Sequence, residues 1–579
     1  MKVNIPLSFL VRPVRLTALA LALCPSTHAA APDAGLLLRD EMRRDQAPAA
    51  KPALPAPVAA DDKAEAETGP QVQVRAFRIV GLQTVAEADA QRLLSNYVGQ
   101  SIPLKGLHRV GQKLEQWLRA KGLFMARAYV PPQDIKEGVV ELRVSEGRVE
   151  GVDIKRAPGT RLSDDKLRDI LTGALPSGAA LEQERLERGL LLANDLPATS
   201  ARAVLVPGAE QGGVRVVVEA AQGAVLSGNA ELDNTGNRLT GTWRAGAALY
   251  VNDAYGNGDQ WSLRAAKSQG TSFVRVGYTT PIGADGWRAG MALMGSRYNL
   301  CCELPANTPE SDGEAASTSA YVSYPLIRTR LSNLNASLNV ASRGFVNRQL
   351  GTATSDKKSN SFTLSVTGDA SEMGGLLGQG AYTSYSGQWT SGQLDLDRVA
   401  ADQAADAALA QTQGSYAKWT GQVTHLLRTT KTAALYASVS AQWASKNLDS
   451  SEKFLLGGPQ GVRAYPSGEG SGDQGWLLNA EWRNDVAAQW GVVAFVDYGR
   501  VTLHRNPWSN WNASNPTQDN SYALSGLGVS AVWTPLPRAQ LTATLAAKLG
   551  DNPGRDANGR DSDNTDTNAR LWVQGNWVF

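Results

Sequence analysis

Hydrophobic and polar residues alternate with a period of two from about Gly223 to the carboxyl terminus. Trp243 and Leu249 would share one face of a strand, while Arg244 and Tyr250 would share the other. A sheet with lipid on one side and water on the other has this pattern, at about 9–11 residues per strand. Because lipid cannot satisfy unpaired backbone groups, we predict a closed antiparallel β-barrel. The alternation recurs at 260–265, 362–367 and 476–483.

The connections between these segments alternate between long polar stretches and tight turns. The long ones are 299–317, 399–414, 450–475, 500–521 and 550–567, and the tight ones include 281–285, 429–431 and 535–537. Outer-membrane barrels have long extracellular loops and short periplasmic turns. The count of alternating segments predicts about sixteen strands, an even number as in bacterial barrels.

The amino terminus has the features of a secretory signal. Lys2 belongs to a basic region that precedes the apolar run Leu16–Leu23, and small residues before Ala29 suit cleavage. Cys24 suggests a lipoprotein as the alternative, which the bulky residue before it disfavours. We therefore predict export, with a signal peptide over residues 1–29.

A short helix is predicted from Asp33 to Gln46, within the segment 30–46. The segment 47–70 is rich in Ala, Pro, Asp and Glu, and it is predicted to be an extended linker. A helix on such a tether can lie far from its sequence neighbours, although a disordered tail would also explain the composition. The apolar residues of the helix are Leu36, Leu37, Leu38 and Met42.

Two successive segments repeat the order strand, helix, helix, strand, strand. In the first, at 71–147, the second helix has an apolar face that includes Leu107 and Leu114. In the second, at 148–222, the closing strand is Val214–Val218. Small α+β units of this kind leave strand edges to which an extended polypeptide can add a strand. A pair of spacers without a binding role is the alternative.

Charge and residue chemistry exclude several functional classes. The formal net charge of +2 over 579 residues argues against nucleic acid as a partner. Beyond Cys24, the adjacent Cys301 and Cys302 could form a vicinal disulfide or contact a partner, but they provide no disulfide framework. The four histidines are scattered, and the segment 551–566 lacks the spacing of a calcium loop. Without a nucleophile elbow, zinc-hydrolase motif or phosphate loop, we predict no enzyme, cofactor or metal.

The glycine-rich loop that begins at 457–466 is the most distinctive segment of the barrel region. Its glycines and prolines require special backbone angles, so the loop has a defined shape. Arg463, at its centre, carries a permanent charge and five hydrogen-bond donors. On the thirteenth predicted strand, Phe495, Asp497 and Gly499 share one face, so we predict a buried Arg463–Asp497 pair. An unpaired surface arginine is the alternative. The other loop residues singled out are Gly457, Gly458, Gly461, Val462, Ala464 and Tyr465.

The segments Val462–Tyr465 and Phe495–Gly499 resemble two motifs of the TpsB family, the outer-membrane transporters of two-partner secretion. Members of this family export haemolysins and filamentous haemagglutinins, and they belong to the superfamily of polypeptide-transporting β-barrels. Ala464 stands where the family usually has Gly, which leaves the backbone shape of the loop tip open. The resemblance extends over nearly the whole chain.

This resemblance implies two periplasmic POTRA domains, at 71–147 and 148–222, before a barrel over 223–579. It also implies that the helix of residues 30–46 plugs the pore. In the strand count above, the Arg463 loop joins strands eleven and twelve, and the resemblance implies that this loop folds down the lumen. The closing strand, which ends in Phe579, is similar to the signal read by the barrel-assembly machinery. The implied partners are a secreted TpsA-type polypeptide, outer-membrane lipid and lipopolysaccharide, and the assembly machinery.

Three functional classes remain open from the sequence. The first is a polypeptide exporter, which the two α+β units and the predicted plug favour. The second is a barrel-assembly insertase of the same superfamily, which usually has more periplasmic units and no plug. The third is a passive porin or receptor, which would leave the α+β units without a role.

Overall fold

The computed structural model of the chain describes residues 32–45, 71–304, 308–372, 380–513 and 515–579. The predicted signal peptide, with Cys24, and the predicted linker lie outside these ranges. Helix α1 spans Ala34–Asp45, close to its predicted bounds. None of the helices within the described ranges has the length and hydropathy to cross a membrane.

The first α+β unit follows the predicted order of strands and helices. Its elements are β1 (Gln71–Gln73), β2 (Ala76–Val80), α2 (Glu87–Leu94), a 3-10 turn (Ser95–Tyr97), β3 (Ser101–Pro103), α3 (Leu104–Ala120), β4 (Arg127–Tyr129) and β5 (Val139–Ser145). Strand β5 lies between the parallel β2 and the antiparallel β4, which are the two edges of the sheet. Leu107 and Leu114 of α3 are fully buried in a core with Phe77 and Leu142, so the unit has its own core.

The second α+β unit repeats this order with a separate core. Its elements are β6 (Arg148–Arg156), α4 (Asp164–Ala174), α5 (Gln183–Asn194), β7 (Thr199–Pro207) and β8 (Gly213–Gln222). Strand β8 lies between the parallel β6 and the antiparallel β7. Ser163 caps α4 because its side chain accepts a hydrogen bond from the Lys166 N–H at 3.2 Å.

Sixteen antiparallel strands close into a barrel, which confirms the predicted number. They are β9 (Leu226–Asp233), β10 (Arg244–Asn252), β11 (Gln260–Lys267), β12 (Thr271–Ile282), β13 (Trp287–Asn299), β14 (Ser311–Arg328), β15 (Ser332–Gln349), β16 (Thr352–Glu372), β17 (Ala381–Asp395), β18 (Gly414–Arg428), β19 (Ala433–Ala444), β22 (Gln474–Ala487), β23 (Trp490–Thr502), β24 (Ser521–Leu536), β25 (Ala539–Lys548) and β26 (Ala569–Val578). The connections contain helix α6 (Ala400–Ala408), 3-10 turns at Arg238–Thr240 and Ser450–Glu452, and the short strands β20 (Phe454–Leu455) and β21 (Ser471–Gly472). The ring closes where β26 pairs with β9.

Aromatic residues form two belts on the outer wall of the barrel. At the end with the long connections, the ring centroids of Phe362 and Trp389 lie 5.2 Å apart, and those of Trp389 and Trp419 lie 6.2 Å apart. At the end with the tight turns, Trp490 stacks on Trp533 with a centroid distance of 5.6 Å. Belts of this kind lie at the two interfaces of a membrane, so the barrel spans the membrane between them.

Several of the predicted connections differ in their bounds from the structure. Strand β14 already begins at Ser311, so the predicted loop 299–317 was too long, and the predicted loop 399–414 contains α6. The turn predicted at 535–537 is displaced because β24 continues to Leu536. Strands β14 to β17 extend beyond the extracellular belt, where the outer face meets water instead of lipid. The alternation that marks a strand in lipid is therefore absent from their outer ends.

The second α+β unit is fixed to the tight-turn end of the barrel. Asp195, which follows α5, accepts hydrogen bonds from Nε and Nη2 of Arg328 on β14 at 2.8 and 2.6 Å. Arg288 on β13 donates to the Asp195 carbonyl oxygen at 2.8 Å. An ion pair between Glu187 and Arg330 lies beside them at 3.1 Å. These contacts place the unit on the periplasmic side of the barrel.

Candidate functional site in the barrel lumen

The connection between β19 and β22 folds back into the barrel, as the resemblance implies. Leu456, Val462 and Tyr465 of this folded-in loop are fully buried. They form one apolar cluster with the inward-facing Leu477 on β22 and Phe495 on β23. Apolar packing on the inner wall therefore holds the loop inside the lumen.

Arg463 and Asp497 form the pair that the sequence predicts. Arg463 donates from Nε to Oδ2 of Asp497 at 2.9 Å and from Nη2 to Oδ1 at 2.7 Å, and its backbone N–H donates to Oδ2 at 3.0 Å. Asn479 on β22 donates to Oδ1 at 2.8 Å. Asp497 is completely buried, so these donors compensate a charge that water cannot reach.

Two further contacts of the Arg463 side chain were not predicted. Its Nη1 donates to Oε1 of Glu481 at 2.8 Å, and its Cζ lies 3.5 Å from the ring centroid of Phe495. Glu481 also pairs with Arg483 at 2.7 Å. The alternation had placed Glu481 on the polar face of its strand. Only the register of β22 against β23, which places Glu481 opposite Phe495, brings it to Arg463.

The loop tip accommodates alanine where the family usually has glycine. Ala464 does not have a positive φ angle, so the backbone there requires no glycine. Its side chain is fully buried and faces Gly526 on β24, where an added Cβ would lie 2.7 Å from the Ala464 Cβ. Glycine is required instead at Gly458, where φ is +105°, and at Gly461, where a Cβ would collide with the Leu456 carbonyl oxygen.

A second set of buried ion pairs holds the start of the folded-in loop, and the sequence did not predict it. Glu452 pairs with Arg343 on β15 at 2.5 Å and with Lys418 on β18 at 2.6 Å. Asp449 pairs with Lys357 on β16 at 2.8 Å. The three cations face the lumen, and two of them, Arg343 and Lys357, lie on the outer ends of strands that lack the alternation. The two carboxylates lie in a loop, where no periodicity could show which way they point.

Helix α1 lies in the lumen, where it contacts the folded-in loop and the inner wall. Leu38 is buried in a cluster that includes Phe273 and Phe345. Leu36 faces Gly468 of the folded-in loop. The Leu36 Cδ2 would lie 3.6 Å from a Cβ added to that glycine. The remaining two apolar residues predicted for this helix, Leu37 and Met42, pack against the same cluster as Leu38.

Polar contacts attach the other faces of α1. Glu41 pairs with Arg244 on β10 at 3.1 Å, and Arg44 donates from Nη2 to the carbonyl oxygen of Thr235 at 2.8 Å. Arg43 donates from Nη1 to the Leu455 carbonyl oxygen of the folded-in loop at 2.9 Å. Water can replace most of such bonds, so their net contribution to docking is modest. The helix is thus seated in the lumen by contacts that permit release.

Glu469 connects the folded-in loop to the last long connection, residues 549–568. Its Oε1 accepts a hydrogen bond from Nδ2 of Asn552 at 3.1 Å, and its Oε2 accepts one from the Ser562 N–H at 2.7 Å. Glu469 is only 2% exposed, and burial raises the pKa of its carboxyl to about 7.

We expect the contact between these two loops to weaken as the pH rises through about 7. A carboxyl whose pKa is raised by docking supports the docked state fully below its ordinary pKa of 4.5, and this support is lost as the pH passes the raised pKa. In planar bilayers, current fluctuations of the wild-type channel should increase between about pH 5 and pH 8. Glu469→Gln keeps an acceptor but cannot ionise, so its fluctuations should change less with pH than those of the wild type. The same pH dependence in both proteins would contradict the assignment.

Cys301 and Cys302, for which the sequence left two possibilities, form a vicinal disulfide directly after β13. Both backbone N–H groups donate to the Leu239 carbonyl oxygen, at 3.1 and 3.3 Å. The pair therefore anchors the connection after β13 to the 3-10 turn between β9 and β10.

Comparison with known proteins agrees with this architecture. The profile of the haemolysin secretion/activation proteins ShlB/FhaC/HecB matches residues 212–516, more than half of the chain, and the ShlB-type POTRA domain profile matches residues 72–147. The heme/hemopexin transporter protein HuxB of Haemophilus influenzae is 26% identical, over 90% of this chain and 92% of its own length. The outer membrane transporter CdiB of Dickeya dadantii is 24% identical, over 83% of each chain.

The fold is also similar to a solved structure, that of CdiB from Escherichia coli. The TM-score is 0.74 at 18% sequence identity, over 95% of this chain and 100% of that one. The matching family consists of transporters rather than enzymes. With its sixteen-stranded barrel and its POTRA domain, the chain belongs to the ShlB/FhaC/HecB family of haemolysin secretion/activation proteins, the two-partner secretion transporters of the outer membrane.

Proposed function

We propose that this transporter exports a large secreted polypeptide of the haemolysin, adhesin or contact-dependent toxin type. The main support for the proposal is that segments of the chain itself occupy the lumen of the barrel. Helix α1 and the Arg463 loop both lie inside the closed barrel, and both are attached by ion pairs. A passive porin needs an open aqueous channel, whereas an exporter needs a channel that opens only for its cargo.

The two periplasmic units, at 71–147 and 148–222, are proposed to capture the cargo before it enters the barrel at 223–579. Strands β2 and β4 in the first sheet, and β6 and β7 in the second, each have one neighbour in their sheet within the described residues. An extended chain can add to such an edge through main-chain hydrogen bonds, a mode that tolerates different sequences. Folding of the cargo outside the cell would supply the driving force without a nucleotide.

The name of one relative supports this class of cargo. It is the hemolysin transporter protein ShlB of Serratia marcescens, which is 23% identical over 78% of this chain. Lipid and lipopolysaccharide are the proposed partners of the aromatic belts. The barrel-assembly machinery is the proposed partner of the closing strand, which ends in Phe579. The proposal includes no catalytic step, cofactor or metal.

A binding titration tests the proposed capture step. A soluble fragment of residues 71–222, whose two units have their own cores, should bind the unfolded amino-terminal part of the secreted partner. The affinity should be modest, because ordering a flexible chain offsets much of the gain. Prior folding of the partner should weaken the binding, since its own strand edges would be paired.

An unrelated unfolded barrel protein is the matched control in this titration. A barrel-assembly insertase would bind that control as well as the partner, and a porin would bind neither. Equal or absent binding across all three ligands would contradict the proposed export.

A further inference from the structure

The seam between the last and first strands of the barrel is only partly closed by a β-ladder. Register pairing between β26 and β9 ends at Gln574 opposite Asp233. Beyond that point, Asn234 continues the contact: its Nδ2 donates to the Leu571 carbonyl oxygen at 2.9 Å, and its Oδ1 accepts from the Val573 N–H at 2.7 Å. Among the described residues, Asn234 at the end of the first strand therefore provides these hydrogen bonds across the extracellular half of the seam.

Trp572 lies on the inner face of β26 in this half of the seam. Only 6% of the residue is exposed, and its Nε1 donates to the carbonyl oxygen of Arg463 at 2.8 Å. The side chain of Arg463 is bound on the other side by Asp497 of β23. The tip of the folded-in loop thus bridges β23 and the closing strand.

Both lumenal segments also attach to the first strand beside the seam. The Thr235 carbonyl oxygen, just after β9, accepts from Nη2 of Arg44 on α1 at 2.8 Å. The same oxygen accepts from Oγ of Ser467 on the folded-in loop at 3.4 Å. Loop and helix therefore meet the two strands of the seam from the inside.

We propose that Trp572 is a positioning residue, which holds the tip of the folded-in loop against the closing strand and sets the depth of the loop for export. Its relevance to export rests on the proposed function, whereas its effect on the loop can be measured without any cargo. Trp572 acts through the backbone of Arg463, and nothing in its role requires contact with the transported chain.

The expected effect follows from the chemistry of the bond. The indole N–H is a donor only, and the Arg463 carbonyl oxygen that it serves lies in a buried loop. Loss of one such bond should shift the balance between docked and released loop by about five-fold. Trp572→Phe keeps an aromatic ring without a donor. In Trp572→His, Nε2 of the imidazole can take the place of the indole Nε1, although the ring is smaller.

The loop position can be measured by a spin label on Gln460→Cys in the full-length protein in lipid nanodiscs. Gln460 is exposed on the loop, Cys301 and Cys302 are paired in the disulfide, and Cys24→Ser removes the third cysteine, so the label is specific. Trp572→Phe should increase the mobile fraction of the label about five-fold, with a smaller increase for Trp572→His. Trp577→Phe is the matched control, because Trp577 lies on the same strand and is 51% exposed.

An unchanged mobile fraction in Trp572→Phe would overturn the proposal. A larger increase for Trp572→His than for Trp572→Phe would also overturn it, because ring volume rather than the donor would then matter. Export should be lower in the variant with the larger mobile fraction. Normal export by a Trp572→Phe protein whose loop is mobile would refute the link between loop position and transport. If the wild type exports no cargo at all, the proposed function fails, while the label still reports whether Trp572 holds the loop.

Discussion

Arg463→Ala is expected to leave the barrel folded and inserted but to reduce export sharply. The substitution leaves Asp497 buried with only the Asn479 amide and the loop backbone as donors. Removing one partner of a buried pair typically costs about 3–5 kcal/mol, enough to release the loop tip from the wall. Secretion of the partner into the medium, normalised to the amount of folded barrel, is the measurement.

Two matched variants sharpen this test. Arg500→Ala removes the same charge from an exposed position on β23 and should export normally. Arg463→Lys keeps the charge but loses the forked geometry that engages Asp497 and Glu481 together, so its export should lie between the two. Export at the wild-type level by Arg463→Ala, with normal protein abundance, would refute a role for this pair.

Deletion of residues 33–46 is expected to increase ion conductance in planar bilayers while changing export little. The helix fills part of the lumen at rest, so its removal opens a path for ions. It must leave in any case for a cargo to pass, and export therefore does not require it. Leu38→Asp should have a similar but smaller effect, because it places a charge against Phe273 and Phe345.

The control for this deletion is a chain in which Gly and Ser replace residues 47–60 of the predicted linker, a stretch as long as the deleted one. This control should conduct like the wild type. Unchanged conductance after deletion of residues 33–46 would show that the helix does not obstruct the channel in the membrane.

The alternation of the barrel strands could be predicted from the sequence because it is a local property. Each strand in lipid must present apolar residues on one face and can present polar ones on the other, so a few residues suffice to reveal it. The sixteen strands, the position of the Arg463 loop after the eleventh, and the shared face of Phe495, Asp497 and Gly499 all follow from this rule. The rule failed at the outer ends of strands such as β14, where water replaces lipid.

Apart from the Arg463–Asp497 pair, only the tertiary structure decided which charges meet inside the lumen. Glu452 reaches Arg343 and Lys418 across the barrel, and Arg463 reaches both Glu481 and Trp572. These contacts depend on strand register and on the depth to which the loop descends, which no local pattern records. The position of α1 is decided in the same way, because a helix at the end of a long linker docks where the barrel wall offers matching contacts. The sequence by itself thus determined a barrel with a shaped loop, and packing within the closed barrel decided what fills its lumen.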